Sequence, residues 1–429
     1  EELREGAKLL ERVVTRIYTP GSLYEESLIG VDEVAGLAAI SLKGDGVGLA
    51  ILDASTGYVW TVEHHGDERW SRLQDDLLRS NPKELIFSPR DADREEVRSV
   101  ISQIDGITLS QHTSSRKKGQ DALKNILDVA DLGHIDLGDS PLAMDAAGLA
   151  ADYLAAMHIV DSIDFREIEI MRPEGNMILD QTTLRNLELT QTLAGEKEGS
   201  LLGAIDKCRT SMGRRTLKQW LLRPLANKEK IEQRQDAVAS LARSSRRLDE
   251  LRNSLKGLRD MERLATQLSY NRSGGRDLVA IGLALERMPR LKALCMEVDD
   301  SLLGTLSADL DVLEMMRIDI QANLNDEQPL SLRDGGIIRE GIDAKLDDLR
   351  KAAAVGHKWF KDLEVKERAR LDIPSLKVRH NRQIGWYIEV TKTHLSKVPE
   401  DWNRRQQMTN GNRYVTEELV EWQDKLVTA

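Results

Sequence analysis

The side chains best suited to chemistry in this sequence are the basic and amide groups crowded between Pro374 and Thr416, here called the basic segment. It holds eight lysines and arginines against three acidic residues, a net charge of +5, whereas the whole chain of 429 residues carries −11. Clustered cations on an acidic protein indicate local contact with a polyanion rather than general adhesion.

Phosphate groups are one ligand that this segment could bind, because Lys and Arg neutralise phosphates and amide or phenol groups add hydrogen bonds. Composition leaves an alternative open, a solvated edge strand that its charges protect from aggregation. Trp386 and Tyr387 could stack on bases, but strand alternation directs at least one of them inward, and we expect Trp386 to pack in a core. The suitable polar side chains near the end of the segment are Arg404, Arg405, Gln406, Asn410, Asn412, Arg413 and Tyr414.

The sequence offers no constellation for catalysis. It contains no G-x-x-x-x-G-K-[ST] phosphate loop and no H-E-x-x-H, C-x-x-C or G-x-S-x-G motif. Asp53 follows a predicted strand and could hold Mg²⁺, but no second carboxylate accompanies it convincingly, so we expect it to cap the turn at 55–57. His64 and His65 lack further ligands and are expected at the solvated surface. We therefore predict no catalytic residue, no metal site and no cofactor in this chain.

The elements that must position the basic segment are a helix on each side of it. A long helix is predicted from about Ile338 toward Arg370, where Pro374 stops it. Alternating apolar residues predict β-strands within the segment, with a turn at 380–383. Another helix is expected after Thr416, which is a suitable N-cap. A small β-rich insert at the tip of a two-helix arm is the expected arrangement.

The rest of the chain divides into an α/β part and a helical part. Residues 1–138 alternate strand and helix patterns after a break at 19–22. Residues 139–364 have helical apolar spacing, and the rarity of proline there permits long helices. The predicted α/β elements are strands at 34–42, 47–52, 58–62 and 84–87, a hairpin turn at 43–46, and helices at 70–80 and 95–103.

Cysteine usage, hydropathy and the N-terminus suggest where the protein works. Cys208 and Cys295 are far apart without metal-ligand spacing, so we expect reduced thiols in a reducing, cytoplasmic compartment. No apolar run is long enough to span a membrane. The chain starts without methionine inside a helical pattern, and we therefore expect a piece of a longer protein.

Two motifs carry a resemblance to the MutS family of DNA mismatch repair proteins. M-I-L-D-Q-T-T-L-R-N-L-E-L-T, at 177–190, continues through 199–225 and 231–238 and resembles the lever (core) domain. G-G-I-I-R-E-G-I-D-A-K-L-D-D-L-R, at 335–350, together with the basic segment resembles the lever arm that leads into the clamp domain. The N-terminal region resembles the connector domain. The resemblance implies a multidomain, mainly α protein with a ribonuclease-H-like α/β connector at 1–138, a long-helix lever at 139–364, a β-rich clamp at 365–416 and a returning helix at 417–429.

The family resemblance implies a function and a set of partners. In the family the clamp grips double-stranded DNA with mismatches through its backbone, the lever relays between DNA and an ATPase, and the connector contacts a MutL-type protein. Family proteins also carry a mismatch-reading domain and an ATPase that uses ATP and Mg²⁺; neither is expected in this chain. The full-length protein would be a homodimer, whereas we expect this piece to be largely monomeric, with no membrane partner.

The resemblance assigns two groups of residues. Asn412 stands where the family usually has Glu, which removes a negative charge near phosphate, and Trp386 replaces the first residue of a usual Tyr-Tyr pair. The implied DNA-backbone contacts are Lys377, Arg379, Asn381, Arg382, Lys392, Arg404, Arg405, Gln406, Asn410, Asn412, Arg413 and Tyr414. The matching lever positions, which we interpret as caps and packing residues, are Asp180, Asn186, Glu188, Thr210, Met212, Gly213, Arg214, Trp220, Arg223 and Pro224.

One alternative stays open. A paralogue of the family could use the same arms to encircle other DNA structures, or could act mainly as a protein-docking scaffold. A mismatch-reading domain ahead of this region would favour the repair function.

Overall fold

The computed structural model describes residues 17–23, 36–104, 106–132, 140–157, 168–171, 175–269, 273–330, 332–381 and 385–428, and the statements below concern these residues. Two units follow each other along the chain, Glu1–Ile337 (unit 1) and Ile338–Ala429 (unit 2). Helices predominate, and each unit contains one small sheet.

Unit 1 begins with a six-stranded mixed sheet. Its strands are β1 (Gly36–Lys43), β2 (Gly46–Asp53), β3 (Tyr58–His65), β4 (Glu84–Phe87), β5 (Thr108–Gln111) and β6 (Ile168–Ile170), in the spatial order β5-β4-β1-β2-β3-β6. The first three strands form an antiparallel meander, and β4, β5 and β6 pair in parallel with their neighbours. Lys43 pairs with Gly46 across a two-residue turn in which Gly44 has φ +60°, which confirms the predicted hairpin.

Helices cover both faces of this sheet. α1 (Arg69–Ser80) and α2 (Glu95–Ser102) pack on one face, while α3 (Arg116–Leu127) and α4 (Pro141–Ala156) pack on the other. The sequence places α4 in the following helical domain, after residue 138; the structure packs it on the sheet instead. β5, α3 and β6 were not predicted, because two of them are very short and β5 is largely exposed.

Glycine makes the close approach of α4 to the sheet possible. A Cβ on Gly48 would lie 2.1 Å from the backbone carbonyl of Leu142, a distance that no side chain tolerates. Gly119 and Gly148 likewise bring α3 and α4 together, since a Cβ on either would lie 2.9 Å from the other's backbone. Helix α4, which is apolar and rich in alanine, therefore packs against the backbone of β2 on one side and of α3 on the other. Eleven of its residues are buried.

A buried carboxylate, Glu84 at the start of β4, ties the segment before the sheet to its centre. Glu84 is fully buried. One oxygen accepts from the Gly21 amide at 3.0 Å, and the other accepts from the Tyr153 hydroxyl at 2.6 Å and from the Ser110 hydroxyl at 2.5 Å. A buried charge needs such partners to offset its desolvation. The network joins residues from four parts of the chain at one point.

The remainder of unit 1 is helical between residues 181 and 323, which confirms the predicted all-α region. Pro289 lies inside the longest helix of this region, α11. The helices are α5 (Gln181–Asn186), α6 (Leu201–Ile205), α7 (Ser211–Leu222), α8 (Lys228–Ala242), α9 (Ser245–Leu255), α10 (Met261–Ser269), α11 (Gly275–Met296), α12 (Ser301–Asp309) and α13 (Glu314–Asn323).

Thr210 provides a test of the capping role assigned to the lever motif. Its hydroxyl accepts a hydrogen bond from the Gly213 amide at 3.1 Å, at the N-terminus of α7. We expect Thr210→Ala to lower the free energy of unfolding by about 1 kcal/mol, because one amide of the first turn loses its acceptor. Thr210→Ser should retain most of the stability. Urea denaturation followed by circular dichroism checks this, and equal stability of the alanine and serine variants would contradict it.

Unit 2 consists of one long helix, a four-stranded antiparallel sheet and a second helix. These are α14 (Ala344–Leu371), β7 (Lys377–Asn381), β8 (Gly385–Thr391), β9 (Asn403–Met408), β10 (Gly411–Val415) and α15 (Glu417–Thr428), with the strand order β7-β8-β10-β9. The Leu419 amide donates to the Thr416 hydroxyl at 3.2 Å, which confirms the predicted N-cap. Of the predicted turn at 380–383, His380 and Asn381 belong to strand β7, and residues 382–383 lie outside the described residues.

Aromatic side chains join α14 to the sheet and to α15. Phe360 stacks on Trp386 with ring centroids 3.9 Å apart, and Trp359 stacks on Trp422 at 5.1 Å. Trp386 thus packs against the core as expected, but its neighbour Tyr387 is the more deeply buried, at 4% exposure. Neither ring is presented to solvent as a free stacking platform.

Candidate nucleic-acid interface

Strand pairing in unit 2 arranges polar side chains in a row across one face of the sheet. Lys377 on β7 pairs with Glu389 on β8, Glu389 pairs with Arg413 on β10, and Arg413 pairs with Gln406 on β9. Directly paired residues point to the same face. The opposite face carries Ile388, which is fully buried toward α14. The sheet therefore separates an apolar inner face from a polar outer face.

Cations occupy both edges of this sheet. Lys377 and Arg379 lie on edge strand β7, while Arg404 and Arg405 lie on the other edge strand, β9. These four side chains and Lys392 are exposed and form no ion pair with any residue that the structure describes. Their charge is therefore available to an external anion.

Arg405 sits in a β-bulge. Arg413 pairs with Gln406 and Tyr414 pairs with Arg404, so that Arg405 has no partner across the strand. A bulge re-aims the side chain of the extra residue and increases the local twist of the strand. Two consecutive arginines are consequently displayed at one point of an exposed edge.

Arg413 is already engaged within the sheet. Its Cζ lies 4.4 Å from the centroid of the Tyr387 ring, and its Nη1 donates to Gln406 Oε1 at 2.8 Å. Its Nε lies 3.6 Å from Glu389 Oε2. The side chain is only 17% exposed. Arg413 thus covers Tyr387 and contributes to packing more than to a free positive surface.

Asn412 and Tyr414 require a correction, because the sequence interpretation made them phosphate contacts. They are 6% and 8% exposed, and Asn412 Nδ2 donates to the Tyr414 hydroxyl at 3.1 Å. Both belong to the inner row of β10, beside Val390 and Ile388 of β8. Asn412 and Tyr414 are therefore packing residues of the inner face, joined by their own hydrogen bond.

The remaining predicted contacts differ in their accessibility. Gln406 and Asn410 are exposed, and the Asn410 carbonyl accepts from the Lys392 amide at 3.1 Å. Asn381 is half-buried. Arg382 lies outside the described residues. Lys397, which contributed to the net charge of the segment, donates to Asp372 at 2.8 Å and lowers the pKa of that carboxyl.

Arg413→Gln tests whether the Arg413 side chain stabilises the packing of unit 2. We expect it to lower the free energy of unfolding of unit 2 by about 1 kcal/mol, because the cation–π contact with Tyr387 is lost. Tryptophan fluorescence during urea denaturation measures this, since Trp386 and Trp402 report on the unit 2 core. An unchanged urea midpoint would show that the Tyr387 contact is not stabilising. Arg413→Lys, which keeps the charge, is the matched control.

The lever positions mostly make local structural contacts in unit 1. The Asp180 carboxylate accepts from the Thr183 amide at 2.7 Å as the cap of α5, and Glu188, at φ +47°, accepts from the Leu193 amide at 2.6 Å. Asn186 is exposed at the end of α5, and Met212 and Gly213 lie in the first turn of α7. The Nε of Arg214 lies 3.7 Å from Asp206 Oδ2, and Trp220 is 46% exposed, with Arg234 Cζ 3.6 Å from its ring centroid. The Cζ of Arg223 lies 4.0 Å from the Trp60 ring centroid, and the Pro224 carbonyl accepts from the Met177 amide at 2.7 Å.

The expectation of two solvated histidines is wrong for one of them. His64 is 5% exposed, and its Nε2 lies 2.8 Å from Asp76 Oδ2; His65 is exposed. β3 alternates inward and outward residues, which sends neighbouring histidines to opposite faces. Asp53 behaves as expected: its two oxygens accept from Ser55 and Thr56.

Asp260 is the structurally important residue that the sequence did not single out. Both of its oxygens accept from Arg215, at 2.5 and 2.8 Å, and Ser211 Oγ donates to it at 2.9 Å. Arg215 and Arg263 are 7% and 1% exposed, so that Asp260 is a counter-ion for two buried cations. Only a short charged run, D-M-E-R at 260–263, signals it in the sequence.

The described residues contain no group of three or more His, Cys, Asp or Glu placed to hold a metal ion, and no helix among them is long and apolar enough to cross a bilayer. Cys208 and Cys295 are not joined in a disulfide.

Comparison with known proteins identifies relatives over the whole chain. A family model described as MutS domain III matches residues 182–422, and one described as MutS domain II matches residues 35–159. Curated proteins named DNA mismatch repair protein MutS are similar: that of Anaeromyxobacter dehalogenans (strain 2CP-C) is 36% identical over 424 residues, covering 99% of this chain and 48% of the relative. That of Myxococcus xanthus is 34% identical over 440 residues, covering 100% and 48%. The chain therefore spans about half the length of the relatives it matches.

Proposed function

This chain belongs to the MutS family of DNA mismatch repair proteins, and from that premise we propose that unit 2 is a clamp that holds double-stranded DNA, including mismatched DNA, by its phosphate backbone. The observation that carries the proposal is the set of exposed cations on the two edges of the unit 2 sheet, which have no counter-ion among the residues that the structure describes. Lys377 and Arg379 represent one edge, and Arg404 and Arg405 the other.

The spacing of these edges suits a duplex. Three intervals of about 4.8 Å separate the outer strands of a four-stranded sheet, so that β7 and β9 lie about 14 Å apart. The major groove of B-DNA is about 12 Å wide. Extended Lys and Arg side chains on both edges can therefore reach phosphates on either side of one groove.

The chemistry of the interface favours backbone binding over sequence reading. Phosphate contacts set position and affinity but carry no sequence information. The described aromatic rings of the sheet are engaged in its own packing, and Asn412 is buried. The clamp is accordingly proposed to hold matched and mismatched duplexes alike, while mismatch recognition resides elsewhere in the full-length protein.

The remaining family roles are part of the same proposal. The α/β part of unit 1 would serve as the connector, with a MutL-type protein as its partner, and the helical part as the lever to an ATPase that uses ATP and Mg²⁺. The full-length protein would be a cytoplasmic homodimer. This chain alone would be a largely monomeric, non-enzymatic DNA-binding piece.

Salt-dependent binding tests the proposed function. Fluorescence anisotropy with a labelled duplex of about 20 base pairs, with and without one mismatch, should give affinities that fall steeply and equally with salt. Binding that is independent of salt, or restricted to the mismatched duplex, would contradict backbone binding by the clamp. The absence of any DNA binding combined with tight binding to a protein partner would favour the docking-scaffold alternative.

A further inference from the structure

A cavity lined by unit 1 residues alone lies between the α/β sheet and helix α7. Its volume is about 280 Å³. Residues from the sheet side, among them Arg79 and Lys83, face residues from α7 and its C-terminal end, among them Gln219 and Arg223. Residues far apart in sequence thus line one cavity whose wall is partly polar and partly apolar.

Arg223 is the central cation of this region, because it lines this cavity and two neighbouring ones. Its guanidinium stacks on Trp60, with Cζ 4.0 Å from the ring centroid. Among the described residues none forms a hydrogen bond with this guanidinium. Burial lowers the pKa of Arg223, which means that its charge is less well solvated than in water.

Further donors converge on the same cavity. Arg79 is 10% exposed and uses its two terminal nitrogens on Asp76 and the Leu179 carbonyl, at 3.2 and 3.0 Å. Its Nε and the hydroxyl of Ser80 are buried without a hydrogen-bond partner in the described structure. Buried donors are normally satisfied, so that two of them beside one cavity require an acceptor.

Acidic residues near the cavity do not supply that acceptor. The Asp53 oxygens accept from Ser55 and Thr56, and Asp76 is shared by His64 and Arg79. Glu262 accepts from Arg215 at 2.5 Å. Lys83 forms no ion pair with any described residue. Asp76 and Glu169 act on Arg223 electrostatically without a hydrogen bond to it, so that Arg223 and Lys83 keep their hydrogen-bond donors available to a ligand among the described residues.

We propose that this cavity is a binding site for a phosphate group, either the free ion or the phosphate of a mononucleotide, held by Arg79, Lys83 and Arg223. The Arg223 guanidinium can match phosphate with paired hydrogen bonds, its orientation fixed by stacking on Trp60, while Arg79 has its Nε to donate. The volume exceeds that of a bare phosphate and leaves room for an attached group. A bound phosphate would also join the sheet side to α7 and so rigidify the connection between them.

Isothermal titration calorimetry on the 429-residue chain tests this site, with inorganic phosphate, AMP and adenosine as probes at constant ionic strength. Phosphate or AMP, but not adenosine, is expected to bind. Arg79→Gln and Lys83→Gln should each weaken binding about tenfold, since one charge-assisted contact is lost. Arg98→Gln, an exposed change on α2, is the matched control and should leave binding unaltered.

The pattern of outcomes distinguishes the sources of the phosphate. Binding of inorganic phosphate alone indicates the free ion, and preferential binding of AMP indicates a mononucleotide.

Circular dichroism verifies that each variant is folded. Lys83→Gln changes a side chain without ion-pair partners among the described residues, so it still tests the site if Arg79→Gln unfolds. No heat of binding for either phosphate probe, or equal affinities for wild type and Lys83→Gln, would overturn the proposal.

Discussion

A variant with glutamine at Arg379, Arg404 and Arg405 is expected to bind duplex DNA with a much shallower salt dependence than the wild type. Each phosphate contact contributes roughly 0.9 to the slope of log affinity against log salt. If all three side chains contact phosphate, the slope should decrease by about 2.7. The three arginines are exposed and without ion-pair partners among the described residues, so that stability should hardly change.

The control for this experiment removes the same charge elsewhere. Glutamine at Arg98, Arg243 and Arg247, all exposed in unit 1, changes the net charge equally. This variant should retain nearly the full wild-type slope, because the affected cations lie outside the proposed interface. Equal slopes for the two triple variants would show that general charge, and not the edges of the unit 2 sheet, governs DNA binding.

Asp260→Ala is expected to have the largest effect on stability, a loss of about 3–5 kcal/mol in the free energy of unfolding. Removal of the carboxylate takes the shared counter-ion from Arg215, 7% exposed, and Arg263, 1% exposed, and leaves Arg215 with the more exposed Glu262. Breaking a buried ion pair from one side costs this much because the buried charges that remain lose their best-placed compensating partner. Urea denaturation followed at 222 nm measures the loss. A difference below about 1 kcal/mol would contradict the role of Asp260 as a counter-ion.

The pH dependence of stability provides a second test at the same residue. Burial alone would raise the pKa of Asp260, but hydrogen bonds from Arg215 outweigh burial and hold that pKa below its usual value of about 3.9. The stabilisation is therefore complete above pH 4 and is lost as the pH falls through the lowered pKa. The stability difference between wild type and Asp260→Asn should be greatest near neutral pH and should narrow in acid.

Local features of this protein could be predicted from the sequence because neighbouring residues determine them. The Gly44–Asp45 turn requires a positive φ that glycine provides, and Thr416 caps the next helix through its own hydroxyl. Family motifs added the presence of a clamp-like sheet. The alternation of β8 and β10 also predicts an inner and an outer face, but the choice of face for each strand depends on its pairing.

Features that depend on tertiary contact were not predicted. Helix α4 is apolar and Ala-rich, and only its packing on Gly48 shows that it belongs to the first sheet. Tyr414 has the chemistry of a phosphate ligand, yet register places it in the core beside Trp402. Asp260 became recognisable only when the fold brought it to Arg215, 45 residues away in sequence.

The buried carboxylate of Glu84 has a mechanical consequence. Because the Gly21 amide is bonded to it at 3.0 Å, tension arriving along the chain toward Thr19 is delivered to the first residue of β4, in the interior of the sheet. Parallel pairing of β4 with both of its neighbours means that such a pull loads several hydrogen bonds at once. The hydrogen bond at Gly21 therefore anchors the segment at 17–23 to a strand in the interior of the sheet, and pulling on this segment would strain that strand.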